Sequence, residues 1–185
     1  MNHFHHSILI IIIEFFSQYC KHDDQVQLQN IYFQENDLIA EGLTYLEQCC
    51  LERSSLSMTA NERKSKMSLV SSALDTFKKS RNDFLTTHTD EYARLLKYQL
   101  KLEDKFSSTT PTGLKFFDLS LQDTMRLLLQ RREYKLCDEL RKEFKVSDKR
   151  YYYLRLITLA EIDEWLEIER LAKARKSPIG YEVMC

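Results

Sequence analysis

A chain of 185 residues with 43% apolar and 30% charged residues has ordinary single-domain size and composition. Its formal charge of −1, with acids and bases interspersed, sets up no long-range field that would recruit nucleic acid or an acidic membrane. Three glycines and two prolines argue against a strand-and-turn architecture, and the abundant Leu, Glu, Lys and Arg favour helix, so the predicted fold is all-α. Five cysteines (Cys20, Cys49, Cys50, Cys137 and Cys185) form an odd set without paired spacing, which points to reduced thiols rather than a disulfide framework.

A first helix is expected from Ser7 to about Cys20, apolar on all sides. Its run Ile8 to Ile13 is interrupted by Glu14 and is far shorter than the ~20 residues needed to span a bilayer, so no transmembrane insertion is expected. The residues before it are not basic and those after it offer no small-residue cleavage site, which argues against a secretory signal. Helices are next predicted over Asp24–Phe33 and Asp37–Arg53, the second with Leu38, Ile39, Leu43, Leu46 and Cys50 on one face and weakened by Gly42. Adjacent Cys49 and Cys50 point about 100° apart on such a helix, one inward and one outward.

Thr59 with Glu62 forms a capping-box signature at the head of a long helix. Met67, Val70, Leu74, Phe77 and Phe84 extend its apolar stripe to about residue 84. Thr89 or Asp90 is expected to cap the next helix, with Leu95, Leu96, Leu102 and Phe106 buried and Arg94, Lys97, Lys101 and Glu103 wet, so that two long antiparallel helices result. The segment SSTTPTG from Ser107 to Gly113 is the clearest break in the chain.

Beyond it, a shift of 31 residues aligns Met125, Leu128, Leu129, Tyr134, Cys137 and Leu140 with Leu156, Leu159, Ala160, Trp165, Ile168 and Leu171. Each copy reads as a helix hairpin, with Ser120 and Ser147 placed to cap the first helix of each. The architecture expected is therefore stacked antiparallel helix hairpins, an α-solenoid.

Signals for catalysis are weak. His3, His5 and His6 lack a fourth ligand, and no phosphate loop, His-Glu-x-x-His pair or nucleophile elbow occurs, so no metal or cofactor is expected. The acids Glu161, Asp163, Glu164, Glu167 and Glu169 around Trp165 are explained at least as well by a solvated helix start as by acid–base chemistry. The short basic run Lys173 to Lys176 is too small for a nucleic-acid surface. Three consecutive tyrosines, Tyr151, Tyr152 and Tyr153, cannot all face one core, so at least one ring reaches the surface. Arg150 beside them is either an interface residue or the partner of a carboxylate on a neighbouring hairpin.

The stretch from Phe144 to Tyr181 combines Asp148-Lys149-Arg150 and the tyrosine run with Leu159-Ala160, an acid-flanked Trp165-Leu166 and Ser177-Pro178-Ile179-Gly180-Tyr181. Together with Arg94 to Asp104 and Leu119 to Thr124, it resembles the carboxy-terminal domain of the vacuolar protein sorting sixteen family over roughly residues 15–181. Residues 1–14 match poorly and the tail 182–185 diverges, so the chain reads as a fragment at both ends.

That resemblance implies an α-solenoid from a core subunit of the HOPS and CORVET tethering complexes, cytoplasmic and peripheral on late endosomes, lysosomes or vacuoles. It implies a non-enzymatic scaffold whose platform, about Asn61 to Glu161, docks the SM-type (Sec and Munc type) protein vacuolar protein sorting thirty-three. Other subunits of those complexes are expected partners, with SNARE proteins contacted indirectly. The partner-binding positions it implies are His88, Asp90, Tyr92 and Arg94 on one helix and Lys149, Arg150 and Tyr151 at the corner. The competing reading is a generic helical-repeat adaptor, or a module that self-associates through its apolar first helix.

Overall fold

A computed structural model describes residues 25–51, 58–107 and 115–174. Every regular element among them is helical: α1 (Gln25–Glu35), α2 (Leu38–Leu51), α3 (Ala60–Lys79), α4 (Asp83–Ser107), α5 (Leu121–Gln130), α6 (Tyr134–Glu143), α7 (Asp148–Glu161) and α8 (Trp165–Ala174). The all-α expectation is met. The helix expected at 7–20, the break at 107–113 beyond Ser107 and the Ser177–Tyr181 motif lie outside the described residues. The chain divides into two compact units, residues 1–98 and 99–185.

One device recurs at the corners. Asn36, Arg81, Arg132, Lys145 and Asp163 all have positive φ, between 49° and 61°. At each, the amide of the next residue reaches back to a carbonyl five residues earlier, as Glu133 N–H does to Leu128 and Glu164 N–H to Leu159. These are Schellman closures, which satisfy carbonyls that the last helical turn leaves open. Glycine usually takes the left-handed position because it has no Cβ to clash. Here asparagine, arginine, lysine and aspartate take it, so five helices end without a glycine or proline to mark the place.

In the first unit α2 packs on α1 and α3. Asp37 caps α2, its carboxylate accepting the Ala40 N–H at 3.0 Å. The capping box on α3 forms in both directions, with Thr59 and Glu62 each accepting the other's backbone N–H. The core gathers Leu28, Cys49, Val70, Ala73 and Phe77, and Cys50 faces out as its position relative to Cys49 requires.

Three expectations are corrected in this unit. The packed face of α2 carries Glu41, Gly42, Thr44 and Cys49, whereas Ile39, Leu43 and Cys50 of the expected stripe are exposed. The cause is close approach: a Cβ on Gly42 would lie 2.4 Å from the Phe77 ring, so the face with the smallest residue meets α3. Secondly, the long helix stops at Lys79, and Phe84 belongs to α4, where it is 69% exposed. Thirdly, Asn82 caps α4, accepting the Leu85 N–H at 3.1 Å, and leaves Thr89 and Asp90 inside the helix.

The second unit opens with a buried polar clamp. Gln99 on α4 donates to the Leu119 carbonyl (2.7 Å) and to Thr124 Oγ1 (2.8 Å), and accepts from the Asp118 N–H (2.9 Å). One turn on, Glu103 accepts the N–H groups of Phe116 and Phe117 at 2.6 and 2.8 Å. Glu103 is therefore buried rather than wet, because its carboxylate accepts both of those amides in the segment before α5. Phe106 stacks on Phe116 beside it, with ring centroids 5.7 Å apart.

The two hairpins then follow the expected step. From α5–α6 to α7–α8, helix ends 130 and 161, left-handed residues 132 and 163, helix starts 134 and 165, and final residues 143 and 174 all differ by 31. Ser120 and Ser147 do cap α5 and α7, yet they are only 27 apart, because α7 has 14 residues and α5 has 10. The extra turn, Asp148 to Tyr151, lies at the start of α7, about 6 Å of added helix.

Candidate functional site

The corner that begins α7 is bound to α6 by a specific set of side chains. Arg141 pairs with Asp148 and lies over the Tyr151 ring, its guanidinium carbon 4.9 Å from the centroid. The Tyr151 hydroxyl donates to Asp138 at 2.6 Å. One turn further along α7, Arg155 covers the Tyr134 ring at 5.1 Å and pairs with Glu167 on α8 at 2.9 Å. Tyr134 and Asp138 are one turn apart on α6, as Tyr151 and Arg155 are on α7, so two residue pairs interlock with opposite chain direction.

Burial pushes the Tyr151 hydroxyl well above the usual phenol range, and the nearby Cys137 thiol and Asp138 add to it. Burial likewise raises the Cys137 thiol to about 11, against a smaller lowering from the neighbouring Tyr151 hydroxyl. Each folded group therefore holds its proton above the pH at which the unfolded one loses it. Stability is then full below about pH 9 and falls between about pH 9 and 11 as the unfolded chain alone releases protons. Urea titrations at a series of alkaline pH values should show this fall, and Cys137→Ala should make it shallower. A flat profile would mean that the two groups stay hydrated.

Three of the five acids near Trp165 enter ion pairs between helices, whereas Asp163 and Glu169 are exposed. Glu161 pairs with Arg126 at 2.9 Å, Glu164 with Arg132, and Glu167 with Arg155. They brace the hairpins, and among the described residues no group of three or more His, Cys, Asp or Glu side chains is placed to hold a metal.

Facing away from this interlock, the start of α7 borders a half-open groove of about 540 Å³. Leu121 and Met125 of α5, Phe144 and Val146 of the corner, and Tyr153 and Leu154 of α7 give it apolar walls, with Arg150 and Lys145 as its cations. Arg150 is exposed and has no ion-pair partner among the described residues, and Tyr153 is 49% exposed. One ring of the tyrosine run thus reaches the surface, as the helical geometry requires. Tyr151, by contrast, is only 4% exposed and spends its hydroxyl on Asp138, so of the three corner positions only Lys149 and Arg150 are open to solvent.

The other expected positions lie on α4 in the first unit. His88 is exposed, stands edge-on to Phe84 with ring centroids 4.3 Å apart, and has Glu91 at 3.8 Å. Asp90 and Arg94 pair with each other at 3.0 Å, and Tyr92 is half-buried. Phe84, His88 and Glu91 recur at steps of four and three and present one solvent-facing stripe. Phe84 and Tyr153 are surface aromatics beside these positions that the sequence pattern did not mark individually. The signal was present in Tyr153, as the third member of a run that a helix must splay.

The Vps16, C-terminal region family matches residues 4–184. The chain belongs to this family. Within the family frame, it is similar to the Vacuolar protein sorting-associated protein 16 homolog of Drosophila melanogaster, with 40% identity over 90 residues, 49% of this chain and 10% of that protein. It is also similar to the Arabidopsis thaliana Protein VACUOLELESS1, with 32% identity over 117 residues, 63% of this chain and 13% of that protein. Vacuolar protein sorting-associated protein 16 of Saccharomyces cerevisiae aligns at 27% identity over 180 residues, 93% of this chain and 20% of that protein. The Vps16-type chain therefore spans a tenth to a fifth of the length of these relatives. No helix among its described residues is long and apolar enough to cross a membrane.

Proposed function

We propose that this chain is a non-enzymatic scaffold segment of an endosomal, lysosomal or vacuolar membrane-tethering complex of the HOPS or CORVET kind. It docks an SM-type protein, vacuolar protein sorting thirty-three, through its helical surface and so supports SNARE-mediated fusion indirectly. Membership of the Vps16 C-terminal region family supports the complex, as do the names of relatives that refer to vacuolar sorting. On this reading the protein acts in the cytoplasm as a peripheral component at the organelle surface. The observation that carries docking at the corner is Arg150, an exposed guanidinium on the rim of an apolar groove with no carboxylate of its own among the described residues. Such a group offers a partner a bidentate ion pair next to surface for apolar anchors.

Of the expected contacts, Lys149 and Arg150 meet the partner directly, and His88, Asp90, Tyr92 and Arg94 form the contact on α4. Tyr151 acts from within, fixing the turn that carries Arg150. Calorimetric titration with the SM-type partner tests this directly. Arg150→Asp should weaken binding at least tenfold, about 1.4 kcal/mol, while leaving helicity unchanged because Arg150 makes no described internal ion pair. Binding unaffected by that reversal would remove the corner from the interface.

A further inference from the structure

The interlock between α6 and α7 is built from four residues, and half of it is repeated where no other helix among the described residues occupies it. Shifting Tyr134 and Asp138 by 31 residues gives Trp165 and Glu169, again an aromatic ring and a carboxylate one turn apart at the same places on a helix. On α6 the ring is covered by Arg155 and the carboxylate accepts from Tyr151. On α8 the ring is 62% exposed, Leu166 beside it is 72% exposed, and Glu169 holds only Lys173 of its own helix, at 2.6 Å. An exposed ion pair one turn apart is weak and yields readily to a better donor.

We infer that the exposed face of α8, centred on Trp165 and Glu169, is a docking surface for a partner helix that runs antiparallel to it. That helix carries a hydroxyl or other donor for Glu169 and, one turn later, an arginine or lysine for Trp165. The occupant is specified by continuity with the α6–α7 interface: α7 meets the equivalent face with Tyr151 followed four residues on by Arg155. Replacement of tyrosine by tryptophan strengthens the site for a cation, since indole has the most favourable ring face. Leu166, where α6 has Lys135, adds apolar contact beside it. This surface is distinct from the groove at Arg150 and does not depend on the function proposed for it.

Trp165 is the only tryptophan in the chain, so its fluorescence reports this face alone. A helix-stabilised peptide with the α7 sequence, residues 147–161, contains no tryptophan and serves as the probe. Added to the full chain under selective tryptophan excitation, it should shift Trp165 emission to the blue in a saturable manner. The shift should require at least tenfold more peptide when the peptide carries Arg155→Glu, and at least tenfold more when the protein carries Glu169→Lys. No shift at any soluble peptide concentration would overturn the inference, as would an equal shift in either altered partner. A blue shift that grows with the concentration of the chain alone would also overturn it, since a second copy would then cover the face.

Discussion

Gln99→Leu is expected to lower the unfolding free energy by about 3–5 kcal/mol, through loss of hydrogen bonds rather than of volume. Gln99 is fully buried and makes two bonds to the segment that leads into α5 and a third to Thr124 within it. Leucine fills nearly the same space, so the change takes the Gln99 acceptor from the Asp118 N–H and the Gln99 donor from the Leu119 carbonyl and replaces neither. Asp118 also has a φ of 69°, a left-handed conformation that a non-glycine residue keeps only when its surroundings hold it there. Thr124→Val is the milder comparison at about 1 kcal/mol, since it removes one of the three bonds to Gln99 and the Thr124 bond to the Ser120 carbonyl. Urea denaturation followed by circular dichroism measures both. A loss below about 1 kcal/mol for Gln99→Leu would mean that burial of Phe116 and Phe117 alone fixes this segment.

Gly42→Ala should destabilise the first unit by about 2 kcal/mol, against the ordinary rule that alanine improves a helix by about 1 kcal/mol over glycine. The added methyl would meet the Phe77 ring at 2.4 Å, and that ring is fully buried. Phe77→Leu in the same chain should relieve the clash, so that the double variant is more stable than the sum of the two single losses. Thermal unfolding of the four species gives the coupling directly. A higher melting temperature for Gly42→Ala alone would mean that α2 and α3 separate without loss.

These two positions also show where the sequence was readable and where it was not. The caps at Thr59, Ser120 and Ser147 were legible because each needs one oxygen-bearing side chain at one fixed offset from a helix. The 31-residue step was legible because apolar residues recur at both copies. The stop after Lys79 was not. Arg81 takes the left-handed position usually marked by glycine, and seven residues, two turns, separate Phe77 from Phe84, so the apolar stripe continues across a break in the backbone. The packed face of α2 was misread because apolar character was weighed above size, and close helix contact selects for small residues.

At the site, exposure of one tyrosine followed from helical geometry. Burial of Tyr151 and Glu103 did not, since each depends on a polar partner 13 residues away in sequence. A pattern read along a single helix carries no record of which polar side chain a distant amide or carboxylate will claim.

The extra turn of α7 has a consequence for how such a chain can change. Asp148, Lys149, Arg150 and Tyr151 occupy an overhang that has no counterpart in the preceding hairpin, where Phe117 to Ser120 still lie outside the helix. The two hairpins also meet outside it, at the Arg155 guanidinium over the Tyr134 ring and at the Arg126–Glu161 and Arg132–Glu164 pairs. The solvent-facing members of that turn, Lys149 and Arg150, can therefore be rewritten without altering the pitch at which one hairpin follows the next. The exposed face of that turn and its packing are separable in this fold: Lys149 and Arg150 face solvent, while Asp148 and Tyr151 of the same turn hold α6.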